Sequence, residues 1–446
     1  MRWLRNHRSV LVIAIFAIAS TVASCGAGSK LAGGAVNCDV DAPGQPVTVQ
    51  VLAYSAPPLD PFTNAMAHGC SKVGNLAVRH GPIDFGAQLE KAQLSLSQSG
   101  EGSYDIVEVF GGTLPQYAAK GWLQPLDSLV ESSGTRYDIH SIDPRFREAL
   151  TYEGKLYALP FGVNVHLMVY RKDLLDSLGI TPPRTFDELS AAAMKIKASG
   201  KVAHPLALTY GADSAIGAAF NNSLTSLGGE WTNPTTNKPQ LTSATAIAAI
   251  ESLRRLKPFL DPDVMTFDQS QVQSQLQNGR AAIGILYSGR GAQFMDATQS
   301  KHAGKFGFAP PPSVRPGGGP WATLNVDGFA VAKNSPVPKD LLFQIAAVGT
   351  SELAAEAAGT VMFPARIAIL KKPGVLSKVP YWKAVDSTLK QGVRPYPKKG
   401  YFTPMQTAVT PFLAAAVSGR TPVREAMHQA QTAAEAVIGQ LAKSRS

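Results

Sequence analysis

The segment 153–172, with the sequence EGKLYALPFGVNVHLMVYRK, constrains the fold more than any other part of the chain. Its middle, 163–170, is a continuous apolar and aromatic run that contains one Asn and one His, which is typical of a strand buried on both faces. Pro160 donates no ladder hydrogen bond, so we expect this strand to begin after it. The pattern predicts a chain that crosses here from one packed unit into another.

Signals for a helix follow this strand. Gly179 is placed to end a short helical stretch, and Thr185 is placed as the N-cap of the next helix. Glu188, three residues after Thr185, completes the pattern of a capping box. We therefore expect a strand, a short connection and a capped helix in this order.

Three stretches of this region, together with Gly179, resemble one protein family. They read GKLYALP (154–160), YRKDL (170–174) and PPRTFDEL (182–189). In this order and spacing they are similar to the first interdomain crossover of bacterial extracellular solute-binding proteins of the carbohydrate ABC importer type, family 1. The resemblance implies an α/β, two-lobe periplasmic-binding-protein-like fold with three interdomain crossovers. The alternative is a chance combination of a buried strand and an ordinary capped helix.

Composition indicates a folded protein with more than one domain. The chain has 446 residues, 45% of them hydrophobic and 17% charged, which is typical of globular proteins and too long for one core. The formal net charge is +10, and it falls to +7 without Arg2, Arg5 and Arg8 of a predicted leader. Because no Lys/Arg-rich run with interleaved aromatic residues is present, nucleic-acid binding is a poor interpretation.

The first 24 residues have the parts of a secretory signal, with a basic start, an apolar run over 10–19 and small residues before a cleavage point. Residues 22–25 (VASC) resemble a bacterial lipobox, which implies lipidation of Cys25. We then expect residues 25–44, rich in Gly and Ala, to form a flexible tether on the outer face of the cytoplasmic membrane. A simple secretory signal with an incidental cysteine and a lone anchor helix are the alternatives.

Cys38 and Cys70 remain once Cys25 is assigned to the lipid anchor. An extracytoplasmic location allows them to pair as a disulfide, and separate thiols are the alternative. Their spacing, without further Cys or His nearby, argues against a metal site. We expect neither a metal nor a cofactor.

Strands and helices alternate from residue 46 onward, which predicts parallel sheets that bind ligands at the carboxyl ends of their strands. Residues 47–54 and 104–110 are the first predicted strands, and 121–130 (GWLQPLDSLV) resembles a further motif of the family. The candidates for ligand binding at these strand ends are Tyr54, Phe110, Gly112 and Thr113. Members of the family often carry a charged or amide side chain after the second strand, where this chain has two glycines, and an ordinary Gly-rich turn is the alternative.

Candidates in the second half of the chain mix aromatic and polar side chains, as a sugar with apolar ring faces and hydroxyl edges requires. Residues 272–283 resemble a family element that usually leads to a Gly and a sugar-stacking Trp, but here 287–290 reads YSGR. Trp321, after the glycines 317–319, is the expected stacking residue, with core packing as the alternative. The full set of candidates here is Tyr210, Asn221, Tyr287, Ser288, Trp321, Asn325 and Arg366.

Asn164, in the first crossover, is the strongest candidate because family members often place a ligand-binding polar side chain there. Its amide can both donate to and accept from a hydroxyl group. Arg290 and Arg366 suggest an alternative ligand, a glycerophosphodiester or other phosphorylated polyol, and a salt-bridged surface role is the simpler interpretation of Arg290.

Enzyme motifs are absent from the sequence: there is no HExxH, GxSxG, GxGxxG or Walker loop. No acidic pair stands out near the predicted strand ends, and His166 is expected to be a core residue. An extracytoplasmic carbohydrate-active enzyme and a lipoprotein adhesin remain as alternatives from other classes. We expect a protein without enzymatic activity.

Two discontinuous lobes are predicted, 45–160 with 326–363 and 161–325 with 364–446. The resemblance implies capture of a carbohydrate, such as a mono- or oligosaccharide or an amino sugar, between the lobes. It also implies an ABC permease and an ATPase as partners.

Overall fold

A computed structural model gives the structure, and it describes residues 37–212, 214–359 and 361–443. The predicted signal peptide, the lipidation site at Cys25 and the first part of the predicted tether lie outside the described residues. Within the described ranges no helix combines the length and the apolar composition needed to cross a bilayer.

Short parallel and antiparallel strands flank two long ones. The strands are β1 (Val47–Leu52), β2 (Leu76–His80), β3 (Ile106–Phe110), β4 (Thr151–Tyr152), β5 (Lys155–Leu156), β6 (Ala158–Arg171), β7 (His204–Ala207), β8 (Ala281–Tyr287), β9 (Phe306–Ala309), β10 (Thr323–Val331), β11 (Phe363–Pro364) and β12 (Arg394–Pro395).

Helices cover the sheet and fill the sequence between its strands. They are α1 (Asp60–Ala67), α2 (Phe85–Leu96), α3 (Leu114–Ala119), α4 (Asp127–Ser133), α5 (Pro144–Ala149), α6 (Lys172–Ser177), α7 (Phe186–Ser199), α8 (Ser214–Ser226), α9 (Ala244–Leu256), α10 (Gln269–Gln277), α11 (Lys339–Gly349), α12 (Glu352–Ala357), α13 (Val375–Lys378), α14 (Tyr381–Lys390), α15 (Phe402–Ser418) and α16 (Val423–Lys443).

The main sheet has the strand order β2-β1-β3-β10-β6-β8-β7, with β9 and β11 also paired to β6 and β12 paired to β10. β1 is parallel to β2 and β3, and β7 is parallel to β8. β10 and β6 are antiparallel to each other and join these two parallel parts. The fold is therefore the α/β, two-lobe architecture with three crossovers, β6, β10 and β11.

β6 is the element that passes between the lobes. Its first part, through Val165, pairs with β10, and its last part, from His166, pairs with β8 and β9. Nearly all of its fourteen residues are buried, as the apolar run predicted. A strand enclosed on both faces needs apolar side chains on both, because neither face meets water.

The prediction that β6 begins after Pro160 is wrong, since the strand starts at Ala158. The register between β6 and β10 shifts between Asp327 and Gly328, directly opposite Pro160. A bulge of this kind interrupts the ladder locally, so the missing N–H of Pro160 leaves no hydrogen bond unmade.

The caps around α6 and α7 follow the sequence signals. Gly179 has a φ of +60°, the left-handed conformation that suits glycine just after a helix. Thr185 Oγ1 accepts from Glu188 N at 3.2 Å, which caps α7. Glu188 Oε2 accepts from Arg184 N at 2.7 Å, one residue before the position of a standard capping box.

Residues 39–41 lie on the folded unit, which differs from the expected flexible tether to residue 44. Arg136 Nη2 lies 2.8 Å from Asp39 Oδ1, and its Nη1 lies 3.1 Å from Asp41 Oδ1. The Asp41 amide also donates to Gln344 Oε1 at 2.7 Å. These contacts hold the segment against α11, so a tether ends before this point.

The predicted disulfide between Cys38 and Cys70 is confirmed. Cys70 is fully buried, and the bond closes a loop with a sequence separation of 32. Loop-closure entropy for a loop of this size corresponds to about 3.7 kcal/mol of stability.

Replacing Cys38 and Cys70 together by alanine is therefore expected to lower the free energy of unfolding by about 3.7 kcal/mol, measured by urea denaturation. A reducing agent should lower the midpoint of the unmodified protein and leave that of the double variant unchanged. Equal midpoints for the two oxidised proteins would contradict this prediction.

Candidate functional site

One face of the central sheet carries polar side chains across four neighbouring strands. Side chains two residues apart on a strand share a face, and residues paired across strands share it too. The pairs that define this face are Phe110 with Asp327, Asn325 with Asn164, and His166 with Tyr287, and Glu108 follows by alternation on β3. The polar face therefore runs from β3 through β10 and β6 to β8, across the crossover strands.

Asn164 lies half-buried on β6 at the middle of this face. Its Oδ1 accepts from Gly289 N at 3.0 Å and from Ser288 Oγ at 3.2 Å, which fixes the orientation of the amide. Its Nδ2 donates to no group in the part of the chain that the structure describes. The amide is thus oriented by the protein and keeps a donor for a ligand hydroxyl.

Glu108 and Asp327 form a buried acidic pair beside the two asparagines. Their side chains are 1% and 2% exposed. Burial raises the pKa of Glu108 well above its usual range, and the charge of Asp327 raises it further. Burial also raises the pKa of Asp327 to about 7. The expectation that no acidic pair stands out is wrong, because register rather than sequence spacing brings the two together.

Gln88 of α2 connects this pair to the first lobe. Its Nε2 donates to Glu108 Oε2 at 2.8 Å and to the Glu108 carbonyl at 3.0 Å. Asn325 Nδ2 lies 3.4 Å from Asp327 Oδ1 on the other side. Gln88 thus contacts Glu108, Asn325 contacts Asp327, and the two acids act on each other electrostatically.

Aromatic rings border the polar face from both lobes. Tyr54 and Phe85 meet edge to face at 5.2 Å between ring centroids, and Phe85 lies 5.8 Å from Phe110. In the other lobe Tyr287 lies over the His166 ring at 4.0 Å. Burial raises the pKa of Tyr54 and of Tyr287, so both hydroxyls stay protonated, and the Tyr287 hydroxyl is hydrogen-bonded to Tyr396.

Arg290 follows Tyr287 and faces the same region. It donates to Gln273 Oε1 at 2.6 Å and to Ser270 Oγ at 3.2 Å, both neutral groups. Burial lowers the pKa of this guanidinium, and the hydroxyl of Tyr54 lies close enough to act on it electrostatically. α10 thus holds the arginine in a fixed position at the second lobe.

The two lobes touch each other around this face. Thr403 Oγ1, at the start of α15, donates to the Gly112 carbonyl at 2.7 Å, and Lys398 donates to Glu148. A Cβ at Gly289 would lie 3.7 Å from Pro58 Cγ. The structure is therefore a closed arrangement in which the cleft is covered.

Trp321 and Tyr210 are core residues in this structure, which corrects their expected place in the cleft. Both are fully buried. Trp321 Nε1 donates to Ser223 Oγ at 2.8 Å, and the ring packs 6.0 Å from that of Phe186. Tyr210 donates to the Leu253 carbonyl at 3.3 Å. Neither ring has an open face on which a ligand could stack.

Asn221 and Arg366 are also saturated by protein partners. Asn221 donates to Thr323 Oγ1 at 2.7 Å and accepts from Trp231 Nε1 at 2.8 Å. Arg366 is 5% exposed and donates to the carbonyls of Tyr137, Asp138 and Thr350 and to Ser141 Oγ. This arginine fastens the third crossover to the first lobe and does not face the polar face.

Of the other predicted residues, Tyr54, Phe110, Asn164, Tyr287, Ser288 and Asn325 lie on or beside the polar face. Thr113 turns back on its own strand, with Oγ1 3.3 Å from the backbone N and O of Phe110. The Gly112 carbonyl is used by Thr403. The turn after β3 is thus closed by protein contacts.

Sequence reasoning missed Gln88, Glu108, Asp327 and Tyr396. Tyr396 is buried beside Tyr287 and hydrogen-bonds to it. A usable signal existed for the two acids, since each is a charged residue inside an otherwise apolar strand, IVEVF and TLNVDGFAV. Charged residues are almost never fully buried without a specific role.

The residues that the structure describes contain no group of three or more His, Cys, Asp and Glu side chains that could hold a metal ion.

The described residues thus form two lobes joined by crossover strands, with polar and aromatic side chains on the face between them. Residues 82–352 match the model of a family described as bacterial extracellular solute-binding protein. Since this is more than half of the chain, the protein belongs to that family.

Known relatives have the same architecture. The mannitol-binding protein of Pseudomonas aeruginosa is 25% identical over 228 residues, which are 49% of this chain and 50% of that protein, so the chain matches only half of that relative's length. A maltose-bound protein of T. maritima superposes with a TM-score of 0.77 at 20% identity, covering 87% of this chain and 99% of that one. An ABC transporter solute-binding protein of Agrobacterium vitis with bound D-mannitol superposes with a TM-score of 0.75 at 23% identity. The superposition covers 88% of this chain and 99% of that one.

Proposed function

We propose that this protein is the substrate-binding component of an ABC importer and captures a small carbohydrate or polyol between its lobes. The observation that carries the proposal is the oriented amide of Asn164, with a free donor on the crossover strand between two aromatic borders. The relatives named for mannitol and maltose support the ligand class.

The lobes are proposed to be 45–160 with 326–363 and 161–325 with 364–446. A ligand held by both lobes favours the closed form by its higher affinity for that form. Closure would present a changed surface to a membrane permease, whose ATPase drives uptake. A lipidated Cys25 would keep the protein at the outer face of the cytoplasmic membrane.

The alternative of a phosphorylated ligand has little support, because Arg366 is occupied by the first lobe and Arg290 by α10. We also propose that the protein binds without turnover, as the family description implies. Incubation with glycans, followed by chromatography, tests this, and release of a shorter product would contradict it.

The binding proposal is tested by thermal denaturation with D-mannitol, ribitol, maltose, D-glucose and D-glucosamine. A ligand that binds only the folded state raises the melting temperature as its concentration rises. No shift with any of these compounds at millimolar concentration would contradict the proposal.

Replacing Asn164 by alanine is expected to weaken binding of whichever compound shifts the melting temperature by about tenfold, or about 1.4 kcal/mol. The reason is the loss of the Nδ2 donor and of the anchor for Gly289. Titration calorimetry gives the affinity, and Asn278→Ala, an exposed residue bonded within α10, is the control. Equal affinity of the Asn164 variant and the unmodified protein would remove Asn164 from the site.

A further inference from the structure

Four oxygen atoms of the polar face are buried and receive no hydrogen bond in the described structure. They are Gln88 Oε1, Glu108 Oε1, Asn325 Oδ1 and Asp327 Oδ2. Two hydrogen bonds connect the side chains that carry them: Gln88 donates to Glu108, and Asn325 donates to Asp327. Buried acceptors normally have a donor, so four together mark a place where a donor is missing.

Among the described residues no cation forms an ion pair with Glu108 or Asp327, and Arg290, which acts on the nearby Tyr54, donates instead to Gln273 and Ser270. The groups that act on the Glu108 carboxyl are Asp327 and Gln88, and burial alone acts on Asp327. Two ionised carboxylates in this buried place are strongly unfavourable, which is why the pKa values of both groups are raised, and a positive partner would favour their charged forms. The missing donor is therefore one that brings charge.

A hydroxyl group fits this place poorly. It brings one donor and two acceptor lone pairs, and those lone pairs would face further oxygen atoms. A primary ammonium brings three donors, a positive charge and no acceptor. Its hydrogen bonds to carboxylates are also among the strong ones in proteins.

We propose that the ligand carries a primary ammonium group, bound by Glu108 and Asp327 with the oxygens of Gln88 and Asn325, and is thus an amino sugar or an amino-substituted polyol. This inference rests on the proposed function, because the site is the one between the lobes.

The remainder of such a ligand meets a different kind of surface. Asn164 Nδ2 and the hydroxyl group of Tyr54 offer donors to ligand hydroxyl oxygens. Phe85 and Phe110 provide apolar area for a ring face or a carbon chain. The ammonium group would thus be bound by residues of the first lobe and β10, and the hydroxyl groups would be bound by residues that include Asn164 on the crossover strand β6.

Matched compounds test the inference by titration calorimetry on the protein at neutral pH. D-Glucosamine is compared with D-glucose and N-acetyl-D-glucosamine, and 1-amino-1-deoxy-D-sorbitol is compared with D-sorbitol. At least one amine is expected to bind about tenfold or more tightly than its neutral counterparts. Acetylation should abolish that advantage, because it removes the charge and two donors.

Variants link this preference to the acidic pair. Glu108→Gln with Asp327→Asn should reduce the preference for the amine at least about tenfold while the melting temperature is maintained or raised, since a buried charge is removed. Glu131→Gln, at an exposed position of α4, should change neither the preference for the amine nor the melting temperature.

Neutral compounds that bind as well as the amines would overturn the ammonium proposal and leave the importer proposal standing. Binding of none of these compounds would overturn the ammonium proposal, and the importer proposal would fall with it only if D-mannitol, ribitol and maltose also gave no shift of the melting temperature. An amine preference that survives in the double variant would also overturn the assignment to Glu108 and Asp327.

Discussion

Replacing Arg366 by leucine is expected to lower the free energy of unfolding by about 4 kcal/mol, because each buried carbonyl that loses its donor costs about 1–3 kcal/mol. The guanidinium donates to three backbone carbonyls, at 2.7 to 2.9 Å, and to Ser141 Oγ. In the variant these carbonyls stay buried without a donor. Urea denaturation followed by circular dichroism measures the change.

Arg254→Leu is the matched control for this experiment. Arg254 lies on α9 with a side chain 40% exposed and pairs with Glu251 at 3.5 Å. Exposed pairs contribute about 0–1 kcal/mol, so this variant should unfold close to the unmodified protein. Unchanged stability of the Arg366 variant, together with weakened ligand binding, would return Arg366 to the list of binding residues.

Asp327→Asn is expected to change the pH dependence of stability. Asp327 has a raised pKa of about 7 in the folded protein, against an ordinary value of 3.8. Between these values the folded state binds more protons than the unfolded state, so stability falls as pH rises from about 4 to about 7. At pH 8 the ionised aspartate therefore lowers the free energy of unfolding by on the order of 4 kcal/mol relative to its protonated form, at about 1.4 kcal/mol per pKa unit.

The variant should therefore match the unmodified protein near pH 4 and exceed its stability at pH 8 by a few kcal/mol. Glu108 adds to this difference in the same direction, because the variant removes the Asp327 charge that raises the Glu108 pKa. The remaining groups at the site do not produce it. Tyr54, Tyr117 and Tyr287 have raised pKa values and remain protonated, Arg290 stays charged, and His166, whose pKa burial lowers to about 3, acts alike in both proteins.

Urea denaturation at four pH values between 4 and 8 measures this difference, before any ligand is added. Asp187→Asn, an exposed aspartate that pairs with Arg255, is the control and should give a small, flat difference. A stability difference for Asp327→Asn that shrinks toward pH 8 would show that the carboxyl is ionised and compensated in the folded protein.

The cleft residues show how far sequence reasoning reaches. Asn164 could be predicted because a family motif places it on the crossover strand β6. Tyr287 could be predicted because another family motif places it at the end of the strand that pairs with β6. Trp321, Tyr210 and Arg366 could not be sorted from sequence, since an aromatic or basic residue beside a strand end has the same local pattern whether it faces a cleft or a core. Their partners, Ser223, the carbonyl of Leu253 and that of Thr350, lie far along the chain.

The sequence by itself determined the elements whose causes are local. The buried run of β6, the Thr185 cap of α7 and the glycine after α6 depend on side chains within a few residues of each other. The disulfide between Cys38 and Cys70 was also within reach, because the signal sequence predicts an oxidising compartment and assigns the third cysteine elsewhere.

Only the tertiary structure decided which polar side chains share the face between the lobes. Glu108 and Asp327 are more than two hundred positions apart, and the antiparallel register of β3 and β10, with a bulge opposite Pro160, puts them together. Since a shift of one residue turns every side chain of a strand to the other face, register is the physical quantity that creates this site. It is set by long-range pairing and by no property of either strand alone.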